Sequence, residues 1–250
     1  MEPGRAVSDS IRFACTGCGK CCTGHHVPLT LDETRQWAAN GGQVVVLIEG
    51  FVCDGPGMPA EQRDHVLRRA YPVDCGTARL HVSVTFAAFN PGRCRNLDDN
   101  DLCTIYETRP LVCRIYPAEI NPHLPLRPEN KDCPPEAWQQ GPALIHGQSL
   151  VDPQLRALIE ASRQADRDDI AAKVAICQAL GMTTSALKGN GFTAYLPAME
   201  AFAAALEQVP VDNHAPWTLH IEAPILAQES AALGLLTTAE PPLYYAFIGF

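Results

Sequence analysis

The sequence predicts an α+β fold, with a small irregular antiparallel sheet that carries the cysteines in a cysteine-rich part, about residues 1–140, and a mainly helical subdomain, about 141–250, packed against it. Three observations lead to this prediction. Ten of the eleven cysteines lie between residues 15 and 133. Short apolar or alternating segments are found in the first part, whereas apolar residues recur at helical spacing in the second. The proline-rich stretch 117–142 predicts loop or extended chain, and we place the joint there.

Three regular elements are predicted in the cysteine-rich part. Thr30 and Glu33 stand in capping-box register ahead of a Gly pair, which predicts a helix over 31–39. The segment 43–51, QVVVLIEGF, is apolar and β-branched, so it predicts a buried strand. The segment 79–89, RLHVSVTFAAF, alternates apolar and polar side chains and predicts a second strand.

The pattern changes in the second part of the chain. Asp152 and Pro153 are residue types preferred at the N-cap and first position of a helix, and the pattern after them predicts a helix that ends near Gly181. The apolar stripe of this helix comprises Leu155, Leu158, Ile159, Ile170, Val174, Cys177 and Leu180. Pro197 predicts the start of another helix. One face of that helix comprises Met199, Phe202, Leu206 and Val209. The later segments WTLHI and YYAFIGF predict strands.

Composition and charge exclude several classes of protein. The net charge of −9 argues against a nucleic-acid partner, because phosphate binding normally needs a basic face. No apolar run approaches the roughly 18 residues of a membrane span, and the first residues lack the pattern of a secretory signal. We therefore expect a cytoplasmic protein. Its eleven cysteines, an odd number, are then expected to bind metal or do redox chemistry rather than form disulfides.

The densest cysteine block is CTGCGKCC, residues 15–22. Cys15, Cys18 and Cys21 follow a C-x2-C-x2-C spacing, in which a tight turn points successive sulfurs at a common centre. Bacterial ferredoxin motifs begin with the same spacing. Cys22 follows Cys21 directly, and neighbouring side chains diverge. Cys22 therefore binds a different metal, approaches a polynuclear cluster from another side, or is a buried structural thiol.

A second block, residues 94–117, and the later Cys133 supply four more thiols. Segment 96–106 predicts a hairpin whose turn is DDND, so Cys94 and Cys103 flank the turn and their sulfurs should lie close together. Cys113 follows, and Cys133 precedes a proline, as the last cysteine of a ferredoxin motif does. Eight thiols suit two four-sulfur sites, or one cluster with spare thiols. Zinc and a [4Fe–4S] cluster can each take four thiolates, so the count does not separate them.

The remaining cysteines and two histidines have a simpler interpretation. Cys53, Cys75 and Cys177 stand apart from the blocks and are expected to be small buried apolar residues. His25 and His26 are close enough in sequence to be metal ligands, but histidines at such positions are more often not ligands.

Both blocks resemble the CxxCxxCC family of zinc- or iron-chelating, YkgJ-type cysteine-cluster proteins. The resemblance covers about residues 13–135, which is roughly half of the chain. The matching positions of the first block are Cys15, Cys18, Gly19, Cys21 and Cys22. Those of the second block are Cys94, Leu97, Cys103, Ile105, Tyr106, Arg109, Pro110, Cys113, Arg114, Tyr116 and Pro117, followed by Cys133 and Pro134.

The resemblance implies a domain that binds an iron–sulfur cluster or zinc. The same cysteine domain is similar to that of flagellin lysine N-methylases, which implies, more weakly, S-adenosylmethionine-dependent methylation of lysines on a protein partner. A structural zinc module and a thiol redox sensor are the other hypotheses. The catalytic residues and the oligomeric state are not predicted.

The residues themselves also predict parts of the geometry of the site. Thiolates on a metal leave net negative charge, so we expect Arg109 or Arg114, which bracket Cys113, to donate to cluster sulfurs. Tyr106 and Tyr116 are expected to be packing residues. The first block is expected to be one arm of a thiolate cage that is closed by cysteines of the 94–113 block.

Overall fold

The computed structural model of the chain describes residues 10–53, 60–147, 149–208, 215–239 and 245–248. The helices within these ranges are α1 Leu31–Ala39, α2 Ala60–Leu67, α3 Leu111–Ile115, α4 Pro153–Ala179, α5 Met199–Glu207 and α6 Pro224–Ala232. The first strands are β1 Ser10–Arg12, β2 Val27–Leu29, β3 Val44–Phe51, β4 Tyr71–Cys75, β5 Ala78–Ala88 and β6 Ala143–His146. The later strands are β7 Ser149–Leu150, β8 Thr184–Leu187, β9 Phe192–Tyr195, β10 Thr218–His220, β11 Thr237–Thr238 and β12 Tyr245–Ile248. This mixture of helices and strands confirms the predicted α+β class.

Most of the predicted elements are confirmed within a residue or two. Helix α1 begins with a complete capping box, in which the Thr30 side chain accepts from the Glu33 N–H and the Glu33 carboxylate accepts from the Thr30 N–H. Asp152 caps α4, because its carboxylate accepts from the Gln154 N–H at 2.8 Å. Helix α5 begins at Met199, after the extended residue Ala198, and Val209 lies outside the described residues. The late segments contain β10 and β12, and the rest of YYAFIGF lies outside the described residues.

The chain divides into two compact units, each built from two separate stretches of sequence. Unit 1 comprises residues 1–25 and 90–163, and unit 2 comprises 26–89 and 164–250. The predicted domains were continuous in sequence, and their boundary at about residue 140 stays a prediction.

Unit 2 is built on a large mixed sheet. Its main path runs β11–β10–β8–β3–β5–β2, with β4 added to β5, and β9 lying between β3 and β12. The β3–β8, β8–β10 and β10–β11 pairs are parallel, and the others are antiparallel. A core of 22 buried residues within the described part of the chain covers this sheet, among them Cys75 and Cys177. These two thiols are thus buried as the sequence predicts, whereas the prediction for Cys53 is wrong: it is half-buried, with its sulfur 3.1 Å from Nδ1 of His81.

Unit 1 has much less regular structure. It contains the three-stranded antiparallel sheet β1–β6–β7 and a small apolar cluster around Ile115, Ala118, Leu155 and Ile159. None of the eight candidate ligands, all of which the structure describes, lies in a strand; they lie in loops, a 3₁₀ turn, an isolated bridge and the short helix α3. Loops and short turns thus carry these cysteines, not the small sheet as predicted. The predicted hairpin at 96–106 is reduced to a turn closed by one antiparallel bridge between Leu97 and Cys103. Within the described residues, no helix combines the length and the apolar character needed to cross a bilayer.

Candidate metal centre

The first cysteine block folds into a tight loop that ends in a 3₁₀ turn over Lys20–Cys22. Gly17 and Gly19 have φ angles of 67° and 66°, in the left-handed region that favours glycine. A Cβ at Gly19 would lie 3.0 Å from Cβ of Asp101, so the loop also passes close to the turn of the second block. The Gly17 N–H donates to Sγ of Cys15 at 3.5 Å. The glycines therefore allow both the turn and a backbone hydrogen bond to a candidate ligand.

Backbone hydrogen bonds join Cys22 to Cys94. The Cys94 N–H donates to the Cys22 carbonyl at 2.8 Å. The buried Asn90 amide donates to the carbonyls of Cys22 and His25, each at 3.2 Å. Asn90 was not identified from the sequence, because a lone asparagine after a strand carries no pattern that distinguishes it from a turn residue. It holds the end of the first block against the start of the second.

The turn of the second block brings Cys103 back beside Cys94. The Leu97 N–H donates to the Cys94 carbonyl at 3.1 Å, and Leu97 is bridged to Cys103. The Asp98 carboxylate closes the turn by accepting from the N–H groups of Asn100 and Leu102. The predicted proximity of Cys94 and Cys103 therefore has a structural basis in these backbone contacts.

Cys133 lies on the side of the first block that holds Cys15. The Ala14 N–H donates to the Ala137 carbonyl at 2.8 Å, which ties the residue before Cys15 to the 3₁₀ turn that follows Cys133. The Cys133 thiol contacts the Tyr116 hydroxyl at 3.5 Å, and burial, followed by this contact, raises the pKa of Tyr116. Tyr116 thus touches a candidate ligand, a contact beyond the packing role expected for it.

The charges of the candidate ligands act on one another. Burial, followed by the charges of Cys22 and Cys94, raises the pKa of Cys113 to about 12. Burial is also the main cause of the raised pKa values of Cys94 and Cys133. No three His, Cys, Asp or Glu side chains within the described ranges are gathered closely enough to hold an ion as they stand. The thiols are therefore neighbours that a metal would have to draw together.

Cys21 and Cys22 form the closest contact between candidate ligands that the structure gives, with their sulfurs 3.9 Å apart. This hydrogen bond raises the pKa of Cys21 and lowers that of Cys22. Burial and the charges of Cys22, Cys133 and Cys15 also raise the pKa of Cys21, whereas the Arg109 charge lowers that of Cys22 against burial and Asp101, which raise it. Cys22 is therefore the member of the pair that becomes a thiolate first.

Arg109 acts electrostatically on two candidate ligands, whereas the expected donation from Arg109 or Arg114 to cluster sulfurs stays a prediction. The Arg109 charge lowers the pKa values of Cys22 and Cys113. Its guanidinium lies 3.6 Å from the Tyr106 ring centroid and donates to the Tyr106 carbonyl at 2.7 Å. Arg114 is exposed at the end of α3. Tyr106 therefore packs against the side chain that faces these thiols.

His25 and His26, although adjacent in sequence, belong to different units of the fold. His25 Nε2 lies 2.9 Å from the Asp132 carboxylate, and both belong to unit 1. His26 belongs to unit 2, where its ring stacks on Phe89 at 5.2 Å between centroids. Asp132 was missed from the sequence, although its place directly before Cys133 was a usable signal.

An open polar pocket of about 410 Å³ lies at the first block. Its lining comprises Cys18, Gly19, Lys20, Thr23, His25, Asp101 and Asp132. Cys15 and Cys18 are exposed, and the other six candidate ligands are partly buried. This part of the site is thus accessible to solvent and to small polar molecules.

The pKa difference within the Cys21–Cys22 pair predicts selective alkylation. In the metal-free protein near neutral pH, iodoacetamide should modify Cys22 faster than Cys21 or Cys113, because the thiolate is the nucleophile. Replacing Arg109 by Gln should raise the pKa of Cys22, reduce its thiolate fraction and slow its alkylation several-fold, since one pKa unit is a tenfold change in that fraction. Peptide mass spectrometry across a pH series measures these rates. Arg114→Gln is the matched control, and a larger effect of Arg114→Gln than of Arg109→Gln would contradict the assignment.

The comparison with known families confirms the resemblance seen in the sequence. Residues 14–134 match the CxxCxxCC family, which is described as "Putative zinc- or iron-chelating domain". No curated protein and no solved structure is significantly similar to the chain. The likeness to flagellin lysine N-methylases stays a prediction.

Proposed function

We propose that the protein binds an iron–sulfur cluster through cysteine thiolates, with zinc as the alternative, because residues 14–134 match the CxxCxxCC family. The observation that carries the proposal is the position of the eight candidate thiols. They come from three stretches of chain, yet all lie in unit 1, and none of the eight is in a disulfide. The residues that would hold metal are Cys15, Cys18, Cys21, Cys22, Cys94, Cys103, Cys113 and Cys133.

The donor set fits such a group chemically. Thiolates are the ligands that iron–sulfur clusters and structural zinc sites use, and each of the two takes four. Arg109 offsets part of the negative charge that the thiolates at Cys22 and Cys113 would carry. A bound cluster would supply one-electron chemistry, whereas zinc would supply a closed structural centre.

Two features favour iron over zinc. The C-x2-C-x2-C spacing of Cys15, Cys18 and Cys21 is that of bacterial ferredoxin motifs. Cys133 is followed by proline, as the last cysteine of those motifs is. The N–H of Gly17 donates to the sulfur of Cys15, a contact that would stabilise a thiolate on either metal. We also propose a reducing, cytoplasmic location, in which these thiols would stay reduced.

Anaerobic purification followed by metal analysis and an absorption spectrum tests the proposal. We expect iron with acid-labile sulfide and the broad visible absorption of a cluster. Zinc in stoichiometric amount without colour would select the alternative. Cys53→Ser, in unit 2, is the control and should leave the metal content unchanged. Protein with neither metal, after anaerobic reconstitution with each, would overturn the proposal.

A further inference from the structure

We propose that the eight thiols form two four-thiolate sites, which meet at the Cys21–Cys22 peptide bond. Site A comprises Cys15, Cys18, Cys21 and Cys133, and site B comprises Cys22, Cys94, Cys103 and Cys113. This inference rests on the proposed metal binding and deepens it. The sequence led us to expect one cage joining the first block to the 94–113 block, and this inference replaces it by two sites.

Backbone contacts define site B. The Cys94 N–H is bonded to the Cys22 carbonyl at 2.8 Å, so these two residues are fixed as neighbours. Leu97 connects Cys94 to Cys103 through a hydrogen bond on one side and a β-bridge on the other. Cys113 enters from α3, and the cysteine charges that act on it are those of Cys22, Cys94 and Cys103. Cys113 is thus assigned to site B by its electrostatic partners and by its place in the second block.

Different contacts define site A. The hydrogen bond from Ala14 to Ala137 brings the start of the first block to the turn after Cys133. The cysteine charges that act on Cys133 are those of Cys18 and Cys15, and those that act on Cys21 are those of Cys22 of site B, Cys133 and Cys15. Three closely spaced cysteines and a remote cysteine before proline hold one cluster in two-cluster ferredoxins, which is the arrangement of this set.

The boundary between the sets falls between adjacent residues. Cys21 and Cys22 are consecutive in a 3₁₀ turn and their sulfurs are 3.9 Å apart, so sites A and B would lie side by side. The flanking groups also differ. Arg109 faces Cys22 and Cys113 of site B. Tyr116 and Asp132 lie beside Cys133 of site A.

Single and paired Cys→Ser variants of the full chain test the grouping, because serine is a poor ligand for soft metals and barely changes the volume. Cys133→Ser should lose about half of the bound metal, and Cys18→Ser/Cys133→Ser should lose no more than that. Cys103→Ser should lose the other half, and Cys103→Ser/Cys113→Ser should again lose no more. Cys18→Ser/Cys103→Ser, which cuts both sites, should lose all of it. Cys177→Ala, in the core of unit 2, is the control for cysteine removal as such.

Metal per chain is measured after anaerobic reconstitution, with circular dichroism to identify variants that do not fold. Wild-type protein should hold two zinc ions or two clusters. Wild-type protein with one ion or one cluster would overturn the two-site inference and leave the proposed function intact. Loss of all metal in folded Cys133→Ser and folded Cys103→Ser would likewise mean one shared site. Wild-type protein without metal would be a failure of the proposed function instead.

Discussion

Removal of the bound metal should expose unit 1 to proteases while unit 2 stays protected. The reason is the difference between their apolar cores. Within the described residues, the main cluster of unit 2 has 22 buried members, and that of unit 1 has four. Small cores need additional cross-links such as structural metals. In zinc-dependent peptides the metal contributes about 10–16 kcal/mol, which becomes folding free energy.

Limited trypsin digestion with and without chelator measures this effect. Cleavage after the arginines at and beside the second block, Arg93, Arg95 and Arg114, should accelerate on chelation by at least an order of magnitude. The Cys18→Ser/Cys103→Ser variant is the matched control, because chelator should not change its digestion. Faster cleavage at Arg79 in β5 before any cleavage in the second block would contradict the prediction.

Local chemistry made part of the fold predictable. The α1 capping box and strands β3 and β5 depend on neighbouring residues and on a simple apolar period, and all three are confirmed. The large sheet depends on distant pairings, such as that of Glu49 with Ala186, which no local pattern encodes. The predicted boundary near residue 140 followed composition, whereas this pairing joins strands from both sides of it.

In the candidate site, too, some features follow from local sequence and others depend on distant contacts. The spacing of Cys15, Cys18 and Cys21 marks these residues as candidates without any structure. Their grouping with Cys133 depends on the contact between Ala14 and Ala137, which are 123 positions apart in the chain. Loops have no period from which such a contact can be read. Asn90 likewise acts through backbone carbonyls, which any residue supplies.

Trp217→Ala should destabilise unit 2 by about 3–5 kcal/mol, which is the usual cost of removing a large buried aromatic side chain. Trp217 has no exposed surface and belongs to the main cluster of unit 2. Its backbone N–H donates to the Asp74 carbonyl at 2.9 Å. Trp217 directly precedes β10, so the cavity would open beside a strand that pairs with both β8 and β11. Urea denaturation followed by circular dichroism measures the loss.

Trp217→Phe separates packing from hydrogen bonding at the same position. The indole Nε1 is buried and has no hydrogen-bond partner within the described part of the chain, so replacing it removes no described contact. Phenylalanine keeps most of the apolar area, and we expect a cost below about 1.5 kcal/mol. Equal losses for the two variants would show that apolar burial does not explain the role of Trp217. Neither variant should change metal per chain, because all eight candidate ligands lie in unit 1. A fall in metal content in folded Trp217→Phe protein would mean that the metal centre depends on the core of unit 2.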